Sequence, residues 1–266
     1  MLRQSIRVAV LGSTGMLGHT VADRLSEDPR FTVVRCGRNP SCDFHINLLD
    51  PYLTIPDVDY VINCAGVIWQ AGNPDRWEAF QINSVAPWVL QERCFARSVK
   101  LIQVSTDCVF SGKAGRYTEA MEPDEMGDYG FSKRLGEAHG AMVLRTSVIG
   151  REINTHRSFL GWAMANKGKQ VNGYTNHLWN GVTSDEYARV CRDIMLQDLW
   201  RPGVYHFYST SLSKHDLLQK LNRHLDLHLE IVPVETPVAV DRTLATVGPL
   251  QNELDIPDID AMIAGL

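Results

Sequence analysis

Tyr129 and Lys133 stand four residues apart in the run Tyr-Gly-Phe-Ser-Lys, the spacing that puts two side chains on one face of a helix. A phenol with an ordinary pKa of about 10 becomes a useful acid near neutrality only when its phenolate is stabilised, and an adjacent ammonium does that. The pair is therefore a candidate proton donor with its tuner. Because Tyr-x-x-x-Lys also occurs on ordinary solvated helix faces, it needs company to count as a site. Ser105, Thr106 and Asp107 supply it, since they end the apolar run Leu101 to Ser105. Open α/β sheets bind ligands at the C-terminal ends of their strands, where a hydroxyl can hold a carbonyl against the tyrosine.

A second cluster is built from glycines. Gly12, Gly15 and Gly18 follow the β-branched run Ile6 to Leu11 and open a helical pattern, Met16 to Leu25. Strand, glycine turn and helix in register let backbone N–H groups and a helix N-terminus approach a pyrophosphate. This predicts a dinucleotide turn comprising the three glycines with Thr14, Met16 and Leu17. At the end of the next strand, Phe31 to Cys36, an NAD-selective site places an acid on the ribose hydroxyls; here the residues are Arg35, Cys36, Gly37 and Arg38. Arginine's fork suits a 2′-phosphate, so NADP(H) is the expected cofactor and NAD(H) the second choice. Two solvated surface arginines are the alternative reading.

These residues need a scaffold, and the hydrophobic pattern describes one. Further strands are predicted at Tyr60 to Cys64, Ala141 to Thr146 and Val204 to Tyr208. Helices are predicted at Pro74 to Arg97, from Tyr129 to about Ala138, at Asp185 to Leu196 and at Lys214 to Leu221. Strands alternating with helices imply right-handed crossovers and a parallel sheet covered on both faces. The expected class is α/β, a Rossmann-type doubly wound parallel sheet with a small C-terminal substrate-binding lobe. From Arg151 to Thr183 the texture turns to Asn, Gly, His and Trp with one short helical stretch near Phe159 to Ala165, and the tail after Pro233 reads as irregular. Residues 1–150 are thus expected to form the dinucleotide-binding domain, receiving elements from about 182–210. Residues 151–181 and 211–266 are expected to form the lobe.

Composition narrows the class further. The 266 residues are 44% hydrophobic and 21% charged, as in an ordinary globular protein. A net charge of −5 without a basic run gives no footing for nucleic acid. Six cysteines, at 36, 42, 64, 94, 108 and 191, form neither a Cys-x-x-Cys pair nor a His/Cys cluster, so no metal and no disulfide framework is expected. The short apolar stretch ending at Gly12 is too brief for a signal or a span, so a cytoplasmic protein without a membrane partner is expected.

Taken in order, Gly12-Ser-Thr-Gly-Met-Leu-Gly18, Asn63-Cys-Ala-Gly66, Asn83 in Gln-Ile-Asn-Ser, Ser105-Thr-Asp-Cys-Val-Phe110, Tyr129-Gly-Phe-Ser-Lys133 and Leu144-Arg-Thr-Ser147 carry a resemblance spanning most of the chain. The chain resembles the extended short-chain dehydrogenase/reductases, and within them the dTDP-4-dehydrorhamnose reductase group. The resemblance implies hydride transfer to C4 of a 4-keto-6-deoxy nucleotide sugar, with Tyr129 protonating the developing alkoxide and Thr106 orienting that oxygen. Lys133 would bind the nicotinamide ribose and keep the tyrosine acidic, while Ala65 and Gly66 would line the diphosphate and ribose side. Asn63 and Asn83 would belong to the cofactor set, or would satisfy backbone groups at element ends. Asp107 and Arg145 join the candidate substrate contacts, and a homodimer is allowed.

One departure concerns Cys108, where the rhamnose reductases carry tyrosine. Enzymes resembling GDP-fucose synthase and the plant UDP-rhamnose epimerase/reductases hold cysteine there, as an acid/base residue that epimerises the sugar at C3 or C5 with a histidine partner. His156 or His177 would be that partner here; a small buried thiol is the plainer reading. The absence of a glutamate after Asp107 argues against the dehydratases. The segment Val171 to Thr183 matches the family only loosely, with His177 and Trp179 as candidate contacts to a base or sugar, or as parts of a structured loop. Two other activities fit the same motifs: a non-catalytic NADP-binding regulator resembling the methionine adenosyltransferase regulatory subunit, and a nucleotide-sugar C4 epimerase.

Overall fold

The computed structural model describes residues 5–68, 75–153 and 158–266. The elements run β1 (Ile6–Leu11), α1 (Met16–Ser26), β2 (Phe31–Gly37), β3 (Phe44–His45), β4 (Tyr60–Asn63), α2 (Arg76–Phe80), a π-helical turn (Gln81–Val85), α3 (Ala86–Ala96) and β5 (Lys100–Ser105). A 3-10 turn (Asp107–Val109), α4 (Asp128–Leu135), β6 (Met142–Arg145), β7 (Val148–Ile149), α5 (Phe159–Ala165), β8 (Gln170–Tyr174), β9 (His177–Trp179) and β10 (Val182–Thr183) follow. The remainder is α6 (Ser184–Leu196), β11 (Gly203–His206), β12 (Leu212–Ser213), α7 (Lys214–His224), β13 (Glu230–Val234), β14 (Val240–Asp241), α8 (Leu250–Leu254) and α9 (Ile259–Ile263).

Seven strands form one sheet in the order β11-β6-β5-β4-β1-β2-β3, and every pairing in it is parallel. The expected Rossmann-type sheet is therefore present. Its strands are covered on both faces, and alternate residues feed different cores. Val8, Val10, Ile62, Ile102 and Leu144 pack with Val21, Tyr187 and Ile194 of α1 and α6. Ala9, Leu11, Val61, Leu101 and Val143 pack with Leu90 and Cys94 of α3. Strand order reverses between β1 and β4, which opens a crevice at their C-terminal ends. Pairing of Leu11 with Asn63, Asn63 with Gln103 and Ser105 with Arg145 fixes the height of the groups along that crevice.

Outside this sheet lie three small ones: β10 with β7, β9 between β12 and β14, and β13 with β8. Ala163, Val171, Leu218, Leu227 and Leu229 give this region a cluster of its own, while Trp179, Leu217 and Leu221 join the core under the main sheet.

Three expectations are corrected. The tail is not irregular: β13, β14, α8 and α9 order it, and Leu250, Leu254, Ile259, Met262 and Ile263 are buried. Helices of five residues are too short to show a period in sequence. The helix carrying Tyr129 stops at Leu135 rather than Ala138, with Gly136 as its C-cap, a residue that weakens helix continuation; Gly136 also lies so close to the Asn83 carbonyl that a Cβ would collide with it. The predicted long helix begins at Arg76, is interrupted by the π turn, and ends at Ala96; Pro74 lies outside the described residues. Such insertions into a helix are frequent at functional sites.

Candidate active site

The glycine turn is held by close approach of backbone. Gly12 has φ +71°, and a Cβ on it would lie 2.9 Å from the Ala65 backbone. A Cβ on Gly18 would collide with the Gly12 carbonyl, which already accepts from the Gly15 N–H at 2.9 Å. Gly15 precedes α1 without any side-chain cap, so no cap occupies that helix end. A cleft of about 290 Å³ opens there, lined by Gly12, Thr14, Gly15, Arg38, Asn47, Ala65 and Gly66 among others. Uncapped N–H groups at a positive helix end facing a cleft fit an anionic dinucleotide. Met16 and Leu17 instead pack into the core beneath.

The two arginines diverge. Arg38 lines the cleft, with its guanidinium 3.1 Å from Glu78. Arg35 reaches back to Asp23 of α1 at 2.7 Å and lies outside the cleft lining. An exposed pair such as Arg38 with Glu78 is weak enough to yield to a phosphate.

Both asparagines are engaged with protein groups. Asn63 is fully buried, donates to Gln103 at 2.9 Å and accepts from the Ala65 N–H at 3.2 Å. Asn83, in the π turn, accepts from the Val67 N–H at 2.9 Å and donates to the Val67 carbonyl at 2.8 Å and to Ser132 at 3.1 Å. Asn83 thereby binds the loop after β4 to α4, fixing the cleft rim relative to the helix that carries Tyr129 and Lys133.

Thr106, Asp107 and Cys108 follow β5, and the 3-10 turn is capped by Thr106, whose hydroxyl accepts from the Cys108 N–H at 3.1 Å. The same hydroxyl donates to Asp107 at 3.0 Å. Tyr129 faces this turn: burial, then the neighbouring Cys108 and Asp107, push its phenol well above the ordinary value, and the Thr106 hydroxyl opposes them. The expected lowering by Lys133 is not found, since the Lys133 ammonium is turned to the Val104 carbonyl. Lys133 is 6% exposed and donates to the Val104 carbonyl at 2.7 Å. Burial brings its ammonium down to about 8, against the pull of Glu137 and Cys64. Cys108 is pushed up to about 12, first by burial and then by Asp107, so it is a neutral thiol.

Arg145 is placed away from the crevice. It is 4% exposed, grips Glu137 through Nε at 2.7 Å and through Nη2 at 2.5 Å, and lies over the Phe110 ring. Ser105 donates to the same carboxylate at 2.6 Å. This buried clamp joins β5, β6 and the residues just after α4, so it holds the reacting groups in register.

A separate cavity of about 430 Å³ is lined by Phe159, Trp162, Asn172, Gly173, Tyr174, His177, Lys214 and Leu218. His177 bonds Thr236 at 2.9 Å and packs against Tyr174, while burial, Lys214 and Arg242 lower its pKa. Trp179 is 2% exposed and lies beneath the Lys214 ammonium. His156 lies outside the described residues. The titratable group that senses Cys108 and Asp107 here is Lys214, which sequence reasoning missed because a lysine opening a helix after Ser213 has no local mark of function. Among the described residues no cluster of three or more His, Cys, Asp or Glu could hold a metal ion, and no helix is long and apolar enough to cross a membrane.

Residues 6–247 match the family described as RmlD substrate binding domain. The chain belongs to that family. It is 33% identical over 230 residues to methionine adenosyltransferase 2 subunit beta of Mus musculus, covering 76% of this chain and 67% of that one. It is 33% identical over 158 residues to dTDP-4-dehydrorhamnose reductase of Mycolicibacterium smegmatis, covering 54% of this chain and 46% of that one. Among solved structures, dTDP-4-dehydrorhamnose reductase of Bacillus anthracis in complex with NADP is similar with a TM-score of 0.81 and 18% identity over 98% of both chains. The reductase of Clostridium acetobutylicum gives 0.78 at 18% identity, again over 98% of both. The likeness to these solved structures shows the fold.

Proposed function

We propose that the chain is an NADPH-dependent reductase acting on the 4-keto group of a 4-keto-6-deoxy nucleotide sugar. Bound in the glycine cleft, a reduced nicotinamide supplies the hydride. Gly12, Gly15 and the first turn of α1 would hold the pyrophosphate, Arg38 the 2′-phosphate, and Lys133, beside Gly66, the nicotinamide ribose. Thr106 turns its hydroxyl proton from Asp107 to the substrate carbonyl oxygen and orients it. Tyr129, kept protonated by burial, gives its proton to that oxygen as it becomes an alkoxide. Cys108, neutral with its thiol pushed up to about 12, contacts the sugar without acting as a resting base; epimerisation before reduction would need it deprotonated first.

The observation that supports this reading is the convergence of Thr106, Tyr129 and Lys133 at the strand ends beside the glycine cleft. A second reading, a non-catalytic dinucleotide-binding subunit, is favoured by the likeness to methionine adenosyltransferase 2 subunit beta over 76% of the chain. The two separate on one experiment: NADPH consumption with freshly made 4-keto-6-deoxy nucleotide sugars, with product stereochemistry read in deuterated water. Turnover supports the reductase, and deuterium at C3 or C5 supports epimerisation as well. Tight NADPH binding without turnover of any such sugar favours the subunit.

A further inference from the structure

Lys214 is the first residue of α7, directly after the capping Ser213. A positive charge is out of place at a helix N-terminus, where the backbone dipole favours anions. The ammonium also lies in the aromatic pocket, over the Phe159 ring at 4.7 Å and the Trp179 ring at 5.6 Å. Among the described residues it has no carboxylate within salt-bridge distance and no hydrogen-bond acceptor. Arg242, the other cation nearby, is already engaged, with Phe110 carbonyl at 2.8 Å and Glu125 at 2.9 Å.

Two unfavourable features therefore fall on one residue: partial desolvation and the helix end. Burial lowers the Lys214 pKa most, and Asp107 and Cys108 then raise it more than Arg242 lowers it. Two ring faces recover about 0.5–2 kcal/mol each and leave the three N–H donors unused. Trp179 beneath it has a buried indole N–H without a partner. A cation without a hydrogen-bond acceptor in the wall of a cavity of about 430 Å³ suggests a ligand that completes it.

We infer that Lys214 anchors an oxyanion of the substrate in the pocket walled by Phe159, Trp162, Tyr174 and His177. This rests on reading Thr106 and Tyr129 as the reaction centre, because Lys214 faces the Asp107–Cys108 turn next to them. The anion is the diphosphate that joins sugar to nucleotide, since a 6-deoxy sugar carries no C6 carboxylate.

Binding, rather than turnover, tests it. Affinities of UDP, dTDP, UDP-glucose and UDP-glucuronic acid would be measured by calorimetry on NADPH-loaded wild-type protein and on Lys214→Met and Lys214→Arg. Circular dichroism and NADPH affinity would check that the variants are folded. If the diphosphate is the anion, Lys214→Met weakens all four ligands at least tenfold and Lys214→Arg restores most of it. A wild-type preference for UDP-glucuronic acid over UDP-glucose that Lys214→Met erases, with UDP unchanged, would overturn the diphosphate anchor and the 6-deoxy reading with it. Affinities within twofold of wild type for every ligand in Lys214→Met overturn the inference, as does failure of wild type to bind any of them. Loss of ligand affinity in Lys214→Met together with no NADPH consumption by wild type counts against the reductase reading alone.

Discussion

The glycine cleft and the separate aromatic cavity are built in opposite ways. On the dinucleotide side the groups that matter are backbone: Gly12 at φ +71°, Gly18 beneath the Gly12 carbonyl, and the loop held by Asn83. On the sugar side the groups are side chains drawn from α5, β8, β9 and α7, among them Phe159, Tyr174, His177 and Lys214. A site made of backbone accepts few sequences and so leaves a glycine signature, whereas a pocket of side chains can be retuned one residue at a time. On the proposed reading the first region sets the class of chemistry, and the second sets which molecule receives it.

Disabling the shared proton donor gives the largest expected effect. Tyr129→Phe should cut kcat by about 10²–10⁴-fold, the usual worth of a positioned acid, while NADPH affinity stays within twofold. Equal loss of turnover and cofactor binding would show instead that the phenol holds the cleft together. Next comes the brace behind it. Glu137→Gln leaves Arg145, 4% exposed, without its carboxylate, and should cost about 3–5 kcal/mol in denaturant unfolding.

The comparison sharpens on the two arginines. Arg38→Ala should weaken NADPH about tenfold and leave NADH unchanged, the scale of one lost charge-assisted contact. Arg35→Ala should do neither, because that guanidinium is turned to Asp23; the reverse result in cofactor titrations would exchange their roles.

Lys133 gives the smallest effect and a definite sign. Its folded pKa is about 8, while an unfolded lysine stays protonated to about 10.4. Between these values the unfolded chain binds the extra proton, so stability of the free protein rises with pH, by on the order of 1 kcal/mol per pH unit. Lys133→Met should remove that slope between pH 8 and 10 in urea titrations.

How much of this is legible in sequence follows the same division. Strands β1, β2, β4, β5 and β6 are readable because burial on both faces demands continuous apolar runs, and the glycine turn because its geometry excludes side chains. Tyr129, Lys133 and Thr106 are readable from local spacing. The π turn that places Asn83 is not, since it changes helix register without changing composition. The small helices α8 and α9 are too short to carry a period. Arg145 reads as a ligand contact until its partner Glu137 is seen, and Lys214 meets Trp179 and Phe159 only through the fold.

The central claim is that Tyr129 gives a proton to a ketone reduced beside the glycine cleft. The most direct test follows the absorbance of reduced nicotinamide with dTDP-4-keto-6-deoxy sugars, comparing wild type with Tyr129→Phe at equal NADPH occupancy. The account predicts steady loss of absorbance in wild type and almost none in the variant. Equal rates in both, or NADPH held by wild type with no consumption on any such sugar, would contradict it.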